Sequence, residues 1–402
     1  MRIGDREASR LQVLKAVRRS EPVDRTSLSE ATGLSSQAIS DLVTELLRRD
    51  LLIQTRAPGI GRGRPRVQLQ LNPRAAYVIG AFLLPRGELL VQIADLRGDR
   101  LLARNFEIGR PATLHELALK IADALDQAIT AGPLTKSALH SIGLGLPAVV
   151  DATQGVVHWF PGYSEGPAPI ADIIAQRLGL AVHLDSSGDL LTRAEHWFGA
   201  ERQVDDFTLM FIGPGIALGQ YVDGLLRVGG HGLTSSFAHM KVTPGEGPIC
   251  ACGARGCLLT FSSMYGVVGR IAERRGAEPP PFAHLVTALA AYADDARAGE
   301  PRALEGFAFA GKALGVATAN YINVWDPTRI DIAVADGNLA ALIEASFHQA
   351  LHENTLPTLR GRAPVAFRVV EEINFAKGAA ALALEQLYRG EPAAPVTQAQ
   401  RS

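Results

Sequence analysis

The sequence predicts a mixed α/β protein whose N-terminus carries a helix–turn–helix and a β-hairpin. Three observations predict this class. The first 74 residues contain three helical patterns and then two alternating strands. From Tyr77 onward, β-type runs alternate with amphipathic helices. With 402 residues, the chain is long enough for two to four folding units of roughly 100–200 residues each.

The first two predicted helices lie in the basic N-terminal segment. Leu11, Leu14 and Val17 recur at helical spacing and predict a first amphipathic helix from Arg6 to Arg19. A second helix is expected from Arg25 to Thr32. Gly33 follows it and permits a tight turn at the helix C-terminus.

A third helix begins after Ser35 or Ser36, either of which can cap it. Its apolar residues fall on one face, and short polar side chains fall on the other. Short polar side chains suit a helix that enters the major groove, because they bond base edges or phosphates without blocking approach. The candidate DNA-contacting residues are Ser35, Ser36, Gln37, Ser40 and Thr44.

Two alternating strands, at Leu51 to Ile53 and Val67 to Leu71, predict a hairpin, or wing, after the third helix. Its tip carries Arg62, Arg64 and Arg66, separated by a glycine and a proline. Such arginines can enter a narrow minor groove. A three-helix protein-interaction module and a flexible arginine-rich linker are the alternatives.

The segment resembles the winged helix–turn–helix that opens repressors of the ROK family (repressors, open reading frames and kinases). The strings DRTSLSEATGLSSQAISDLVTELLRRDLL and GRGRPRVQLQLNP carry the resemblance. It implies a DNA-binding domain over residues 1–74 that contacts double-stranded operator DNA through its third helix and wing.

The charge distribution agrees with a nucleic-acid partner. The formal net charge is only −1, but residues 1–74 hold 14 Lys and Arg against 8 Asp and Glu. The segment therefore carries +6 and the remainder −7. A basic segment can bind phosphate, although an excess of this size is also common on solvated surfaces.

A cluster of potential metal ligands lies in the string AHMKVTPGEGPICACGARGC. Three thiols and one imidazole suit tetrahedral zinc, and a site with four protein ligands is structural, since no position is left for water. Buried or redox thiols, and a core role for the histidine, are the alternatives. The candidate ligands are His239, Cys250, Cys252 and Cys257.

The same string resembles the ROK signature, in which a histidine and CxCGxxGC hold zinc near a sugar site. With the N-terminal segment, the resemblance covers about residues 11–390. It implies a two-lobed, actin-like (ribonuclease-H-like) body. The first lobe is expected over residues 75–198, completed by about 370–390, and the second over 199–369 with the zinc loop. Residues 391–402 are predicted to be a disordered tail.

Positions that carry catalysis in ROK kinases differ in this chain. Aligned from EHWFG, the strand-end motif NDAN of the kinases corresponds to residues 186–189. The aspartate base is replaced by Ser187, whose hydroxyl does not accept a proton at neutral pH. Asp185 and Asp189 lie nearby, but a one-residue shift on a strand turns a side chain to the opposite face. We therefore expect no kinase activity.

Sugar-binding positions differ too. A glutamate of the family motif GEIGH is Ser236 here, and the glutamate after GC is Leu259. The candidate effector residues are Ser186, Ser187, Ser236 and His239. Trp159, Phe160 and Tyr163 can stack on a ligand or simply pack a lobe, and Gly213, Gly215 and Gly219 can cradle phosphate or form a turn.

These features predict a transcriptional repressor that dimerises or tetramerises through its body and senses a sugar-like small molecule. An ATP-dependent sugar kinase with an appended DNA-binding domain is the alternative, and a scaffold that binds no ligand is a third reading. Because no apolar run approaches a membrane span and residues 1–19 lack a signal-peptide core, we expect a cytoplasmic protein with no membrane partner.

Overall fold

The computed structural model describes residues 3–56, 67–233, 235–243 and 245–389. The predicted wing-tip arginines, Arg62, Arg64 and Arg66, and the predicted tail over residues 391–402 lie outside the described residues. No described helix combines the length and the apolar character needed to cross a bilayer.

The N-terminal segment, called the head below, contains three helices and one antiparallel hairpin. Its elements are α1 (Ile3–Ser20), α2 (Arg25–Thr32), α3 (Ser36–Arg48), β1 (Leu52–Arg56) and β2 (Val67–Leu71). Asp24 caps α2 by accepting a hydrogen bond from the Ser27 amide at 2.9 Å. Gly33 ends α2 with φ of 68°, a conformation that glycine adopts without a steric penalty. The observed bounds of α2 are those predicted from the sequence, and α1 begins three residues earlier than predicted.

A five-stranded sheet forms the first lobe. Its elements are β3 (Tyr77–Leu83), β4 (Glu88–Asp95), β5 (Arg100–Glu107), α4 (Leu114–Thr130), β6 (Leu139–Leu146), β7 (Val149–Asp151), β8 (Val156–Trp159), α5 (Ile170–Leu178), β9 (Ala181–Ser186) and α6 (Ser187–Phe198). The strand order in the sheet is β5-β4-β3-β6-β9, and β7 and β8 form a separate hairpin. Helices α4 and α5 cover one face of the sheet, and α6 follows β9.

The second lobe repeats the strand arrangement of the first. The elements are β10 (Phe207–Ile212), β11 (Ile216–Val222), β12 (Leu225–Leu226), α7 (Leu259–Ser262), α8 (Met264–Arg274), α9 (Leu285–Arg297), α10 (Pro301–Trp325), β13 (Ile330–Val334), α11 (Gly337–Asn354) and β14 (Val365–Val369). The sheet has the order β12-β11-β10-β13-β14, in which β10, β11 and β12 are antiparallel and β10, β13 and β14 are parallel. Short 3₁₀ turns lie at Lys136–Ala138, Ala200–Gln203, Phe237–His239 and Phe282–His284.

The last helix, α12 (Ile373–Arg389), returns to the first lobe. It packs backbone against backbone. A Cβ added at Gly143 of β6 would lie 1.8 Å from the Ala379 carbonyl oxygen, and one added at Gly378 would lie 1.8 Å from that of Leu190. Glycine is therefore required at both positions, because any side chain would separate α12 from the sheet or from α6.

The head is not an isolated module. Its buried apolar residues, including Leu14 and Val17, share one cluster with Trp197 of α6 and with Leu384 and Tyr388 of α12. The two lobes have apolar clusters of their own. Burial of this kind fixes the head against the body, since separating them would expose apolar surface to water.

Candidate DNA-binding face, metal centre and effector cleft

Helix α3 presents a polar face on the outside of the head. The Ser35 hydroxyl caps it by accepting a hydrogen bond from the Ala38 amide at 3.3 Å. The opposite face, with Ile39, Leu42, Val43 and Leu46, is buried in the head. Four of the five candidate DNA-contacting residues are exposed and Ser40 is half-buried; the exposed four are Ser35, Ser36, Gln37 and Thr44.

Two of these polar side chains already have partners within α3. Gln37 Nε2 donates to Asp41 Oδ1 at 3.0 Å, and the Thr44 hydroxyl donates to the Ser40 carbonyl oxygen at 2.7 Å. Gln37 can exchange this exposed bond for a base edge at little cost, since both states are hydrogen-bonded. The Gln37 amide therefore remains available to contact DNA, whereas the Thr44 hydroxyl already donates its hydrogen to a backbone carbonyl.

Part of the basic charge of the head faces the body. Lys15, Arg18 and Arg19 on α1 contact residues of α6, α12 and the second lobe. Their helical spacing and charge gave no sign of this role in the sequence, because the partners lie about 180 or more positions away. The +6 balance therefore overstates the charge that the head can offer to phosphate.

The four candidate metal ligands come together. Their ligand atoms all lie within 4.8 Å of one another; Cys250 Sγ is 3.5 Å from His239 Nδ1, and Cys252 Sγ is 3.7 Å from Cys257 Sγ. Ligands on a tetrahedron with bonds of about 2.0–2.3 Å lie roughly 3.5–3.8 Å apart. The donor set and its spacing fit a tetrahedral metal ion.

The loop that carries the thiols turns sharply at two glycines. Gly253 has φ of 84° and Gly256 has φ of 73°. A Cβ at Gly256 would lie 2.0 Å from the Thr243 carbonyl oxygen, so the chain passes too close for any other residue. An isolated β-bridge joins Lys241 to Cys257, and a second one, between Ile249 and Arg255, closes the loop on itself.

The electrostatics around the metal ligands differ from one ligand to the next. Burial raises the pKa of the Cys250 thiol to about 11, whereas the backbone amide of Ala254 lowers the pKa of Cys252. Burial lowers the pKa of His239, which keeps its imidazole neutral and its lone pair free for a metal. Metal binding at this cluster would therefore release protons.

The candidate effector residues of the first lobe lie where β9 ends and α6 begins. Ser186 is the N-cap of α6 and Ser187 is its first residue; the Ser186 hydroxyl faces the Asp189 amide at 3.5 Å. Asp185 and Asp189 are both buried, and Arg193 lies 3.4 Å from Asp185. Burial, and then the charge of Asp185, raise the pKa of Asp189 well above its usual range. Asp189 therefore holds its proton more tightly than an exposed aspartate does.

The candidate effector residues of the second lobe lie beside the metal cluster. Ser236 is exposed and directly precedes the turn that ends in His239. The Trp159 ring of the first lobe meets the His239 ring edge-on, with 6.4 Å between centroids. The Phe160 and Tyr163 rings contact each other, with 5.2 Å between their centroids, and pack on the core of the first lobe. Their position agrees with a packing role.

Gly213 and Gly215 lie in the turn between β10 and β11, and Gly219 lies within β11. A Cβ at Gly213 would meet the Phe211 ring at 2.4 Å, and one at Gly219 would meet Thr192 Oγ1 at 2.2 Å. Gly215 alone of the three has open space around it. Two of the three glycines thus have a structural reason that involves no phosphate.

Several curated proteins similar to this chain are bacterial repressors. A "Xylose repressor" of Caldicellulosiruptor bescii is 24% identical over 362 residues, which cover 87% of each chain. The "DNA-binding transcriptional repressor Mlc" of Escherichia coli K12 is 25% identical, over 84% of this chain and 83% of Mlc. Both alignments run through most of each protein.

Solved structures give the same result for the fold. A ROK family transcriptional regulator described as a homologue of E. coli Mlc superposes with a TM-score of 0.81 at 25% identity, over 96% of this chain and 98% of the regulator. A ROK family glucokinase from Streptomyces griseus, in complex with glucose and AMPPNP, superposes with a TM-score of 0.63 at 23% identity, over 76% of this chain and 98% of the kinase. The body is therefore a two-lobed, actin-like fold that follows a separate N-terminal segment. Residues 89–386 match the family model described as "ROK family", and the chain belongs to the ROK family.

Proposed function

We propose that the protein is a sequence-specific DNA-binding transcriptional repressor whose body senses a sugar-like small molecule without phosphorylating it. The exposed polar face of α3, displayed at the N-terminus of a ROK body, carries this proposal. The repressor names of the similar bacterial proteins support it. In this reading, α3 contacts the major groove through Ser35, Ser36, Gln37, Ser40 and Thr44, and the wing contacts the minor groove through Arg62, Arg64 and Arg66.

The body acts as a sensor and not as an enzyme. Ser187 stands at the position assigned to the kinase base, and the neighbouring carboxyls of Asp185 and Asp189 are buried against Arg193. The exposed fractions of Asp185 and Asp189 are only 1% and 4%, so neither carboxyl is open to a sugar hydroxyl in this structure. The hydroxyls of Ser186, Ser187 and Ser236, with His239, are proposed to bind an effector through hydrogen bonds.

The metal cluster holds zinc in a structural role. Nδ1 of His239 and the sulfurs of Cys250, Cys252 and Cys257 would supply all four ligands, so no position is left for a reactive water. Bound zinc would add stability to the loop that carries Ser236 and His239, because a four-ligand site orders the segments that it joins.

A homodimer or homotetramer would bind a pseudo-palindromic operator. Two recognition helices related by a two-fold axis read half-sites about 34–36 Å apart, or a multiple of that distance. Sedimentation velocity measures the assembly directly. A purely monomeric protein, with or without DNA, would contradict this part of the proposal.

Selection of bound genomic DNA fragments with the full-length protein tests the central claim. We expect enrichment of a pseudo-palindromic site, with affinity at least about a thousandfold above that for scrambled DNA. Equal binding to selected and scrambled fragments would refute the repressor proposal. Genes beside the site would then guide the choice of effectors.

Thermal unfolding with D-xylose, D-glucose and N-acetylglucosamine, each at 10 mM, tests for sugar sensing. A sugar at a hundred times its dissociation constant stabilises the folded protein by about 2.7 kcal/mol. Loss of operator binding with the same sugar is expected. A protein that binds the operator but is unaffected by these and other small metabolites would favour the scaffold that binds no ligand.

The glucokinase fold similarity makes an ATP-dependent sugar kinase the second candidate. A coupled assay with ATP and several hexoses separates the two. We expect no turnover above background. Turnover faster than about one per second, typical of kinases, would overturn the sensor reading.

A further inference from the structure

Helix α1 contacts the second lobe through two of its basic residues. Lys15 Nζ donates to the Gly224 carbonyl oxygen at 3.3 Å, and Arg19 donates to Asp205 Oδ1 at 2.5 Å. Gly224 lies in the turn between β11 and β12, and Asp205 lies two residues before β10. The Gly224 amide donates to the Asp205 carbonyl oxygen at 3.0 Å, so both partners belong to one corner of the second lobe.

The same helix is anchored to the first lobe by apolar contact. Leu14 and Val17 are fully buried, in a cluster shared with Leu384 and Tyr388 of α12. Near the end of α1, Glu21 lies 3.3 Å from Arg97 in the turn between β4 and β5. Helix α1 therefore lies across the junction of the two lobes and contacts each of them.

Helix α6 lies in the same junction. A Cβ at Gly188 would lie 2.7 Å from the Leu218 carbonyl oxygen of the second sheet, and Leu190 contacts Gly378 of α12. Its last turn supports α1: Arg18 donates to the Trp197 carbonyl oxygen, and its guanidinium lies 4.2 Å above the indole ring. Helix α6 thus touches each lobe and the head, and the candidate effector residues Ser186 and Ser187 stand at its start.

We propose that α1 is a latch across the two lobes, so that a change in the angle between the lobes breaks the contacts of Lys15 and Arg19 with the second lobe and shifts the DNA-binding head relative to that lobe. The two anchors differ in kind. Opening the apolar contact with α12 would expose buried surface, whereas the polar contacts with Gly224 and Asp205 can be replaced by water. When the lobes move apart, the head therefore stays with the first lobe and releases the second.

Coupling of this kind is reciprocal. Weakening the contacts of α1 with the second lobe must therefore also weaken the contacts between the two lobes. A separate bridge between the lobes provides the readout. Asp151 of the β7–β8 hairpin pairs with Leu233 of the second lobe, and neither residue belongs to α1, α6 or α12. Hydrogen–deuterium exchange of peptides spanning residues 149–152 and 230–233 reports the opening of this bridge.

The test compares Arg19→Ala with Arg6→Ala in the full-length protein. Arg6 lies on the same helix, but its guanidinium pairs with Glu45 inside the head, at 2.6 Å. We expect Arg19→Ala to speed exchange at both bridge peptides by at least about fivefold, the lower end of typical coupling. Arg6→Ala is expected to leave those peptides unchanged.

Asp205→Asn removes the same ion pair from the other side and protects the test if Arg19→Ala fails to fold. The Asp205 side chain is half exposed, so its replacement leaves no cavity. Exchange that rises only near residues 15–25 and 203–207, with both bridge peptides as in the wild type, would overturn the latch.

The latch rests on the proposed function only in identifying the moving head as a DNA-binding unit. The exchange measurement uses neither DNA nor an effector. A protein that fails to select operator DNA but shows coupled exchange would refute the repressor and leave the latch intact. Normal operator binding with uncoupled exchange would refute the latch alone.

Discussion

Lys241 Nζ lies 2.7 Å from Cys257 Sγ and donates a hydrogen bond to it. With zinc bound as proposed, three thiolates and one neutral imidazole would give the site a net charge of −1, which the Lys241 ammonium would offset. Hydrogen bonds to ligand atoms also fix the ligand geometry. The lysine is therefore placed to support the proposed metal site although it is not one of the proposed ligands, and the pattern of cysteines and histidine alone gave no indication of it.

Replacing Lys241 by methionine is expected to weaken zinc binding by about 10–100-fold, as is typical when a partner of a metal ligand is lost. Competition with a chromophoric chelator measures the affinity. Lys136→Met, at an exposed lysine of the first lobe, is the matched control. Equal zinc affinity in the two variants would show that Lys241 does not contribute.

Direct ligand variants should lose the metal. Cys252→Ser and His239→Ala each remove one of four clustered ligands, so we expect zinc content well below one ion per chain by elemental analysis. His231→Ala, at an exposed histidine outside the cluster, should keep the full content. Full occupancy in both ligand variants would contradict the assignment of this cluster.

The wing prediction depends on residues 62, 64 and 66. Replacing Arg62, Arg64 and Arg66 together by alanine should reduce operator affinity and flatten its dependence on salt, because each lost phosphate contact reduces the salt slope by about 0.9. A gel-shift titration at several salt concentrations gives both quantities. Three exposed arginines of the body, Arg100, Arg104 and Arg302, form the control triple variant. Unchanged binding in the wing variant would exclude a wing contact.

The close packing of α12 predicts that one added methyl group will strongly destabilise the protein. In Gly378→Ala the new Cβ would lie 1.8 Å from the Leu190 carbonyl oxygen, so α12 and α6 must separate. We expect a loss of about 3 kcal/mol in the free energy of unfolding, at the upper end for overpacking. Gly166→Ala, where nothing lies within 4 Å of the new methyl, should change stability by less than about 0.5 kcal/mol. Denaturant titration compares them, and equal midpoints would refute the close contact.

Burial of Lys15 predicts a dependence of stability on pH. Burial, followed by the charges of Arg18, Arg193, Arg19 and Arg389, lowers the pKa of Lys15 to about 7, although Glu385 lies 4.0 Å away. Between pH 7 and about 10.5 the unfolded chain keeps this proton and the folded chain does not. The contribution of Lys15 therefore makes the free energy of unfolding rise with pH, by about 1.4 kcal/mol per unit.

Comparison of wild type with Lys15→Met isolates this contribution, since the other titrating groups are common to both proteins. Between pH 7.5 and 9, the free energy of unfolding of the wild type should rise by roughly 2 kcal/mol relative to that of the variant. The exposed Lys136→Met should follow the wild type. Parallel stability curves for wild type and Lys15→Met would mean that Lys15 remains charged in the folded state.

Local features of the fold could be predicted because their causes are local. Gly33 ends α2 and Ser35 caps α3 through contacts within five residues, and the cysteine spacing places three ligands in one loop. The alternation of strands and helices gave the α/β class, and the family resemblance supplied the two-lobed arrangement.

What the sequence did not reveal depends on contacts between distant segments. Lys15, Arg18 and Arg19 have the composition of a solvated basic helix, and only the folded chain brings Asp205, Gly224 and Trp197 to them. The burial of Asp189 likewise comes from packing. From the sequence alone, its carboxyl would be a suitable general base. In both cases burial changes the role of the residue, and burial arises from elements far apart in sequence.

The position of α12 has a consequence for synthesis of the protein. The head and the first lobe are translated first, yet both pack on a helix made of residues 373–389. Until the ribosome has added α12, the apolar core beneath the head lacks the residues of that helix. Apolar surface around Leu14 and Trp197 then stays exposed. A chain truncated before α12 is therefore expected to be prone to aggregation or degradation.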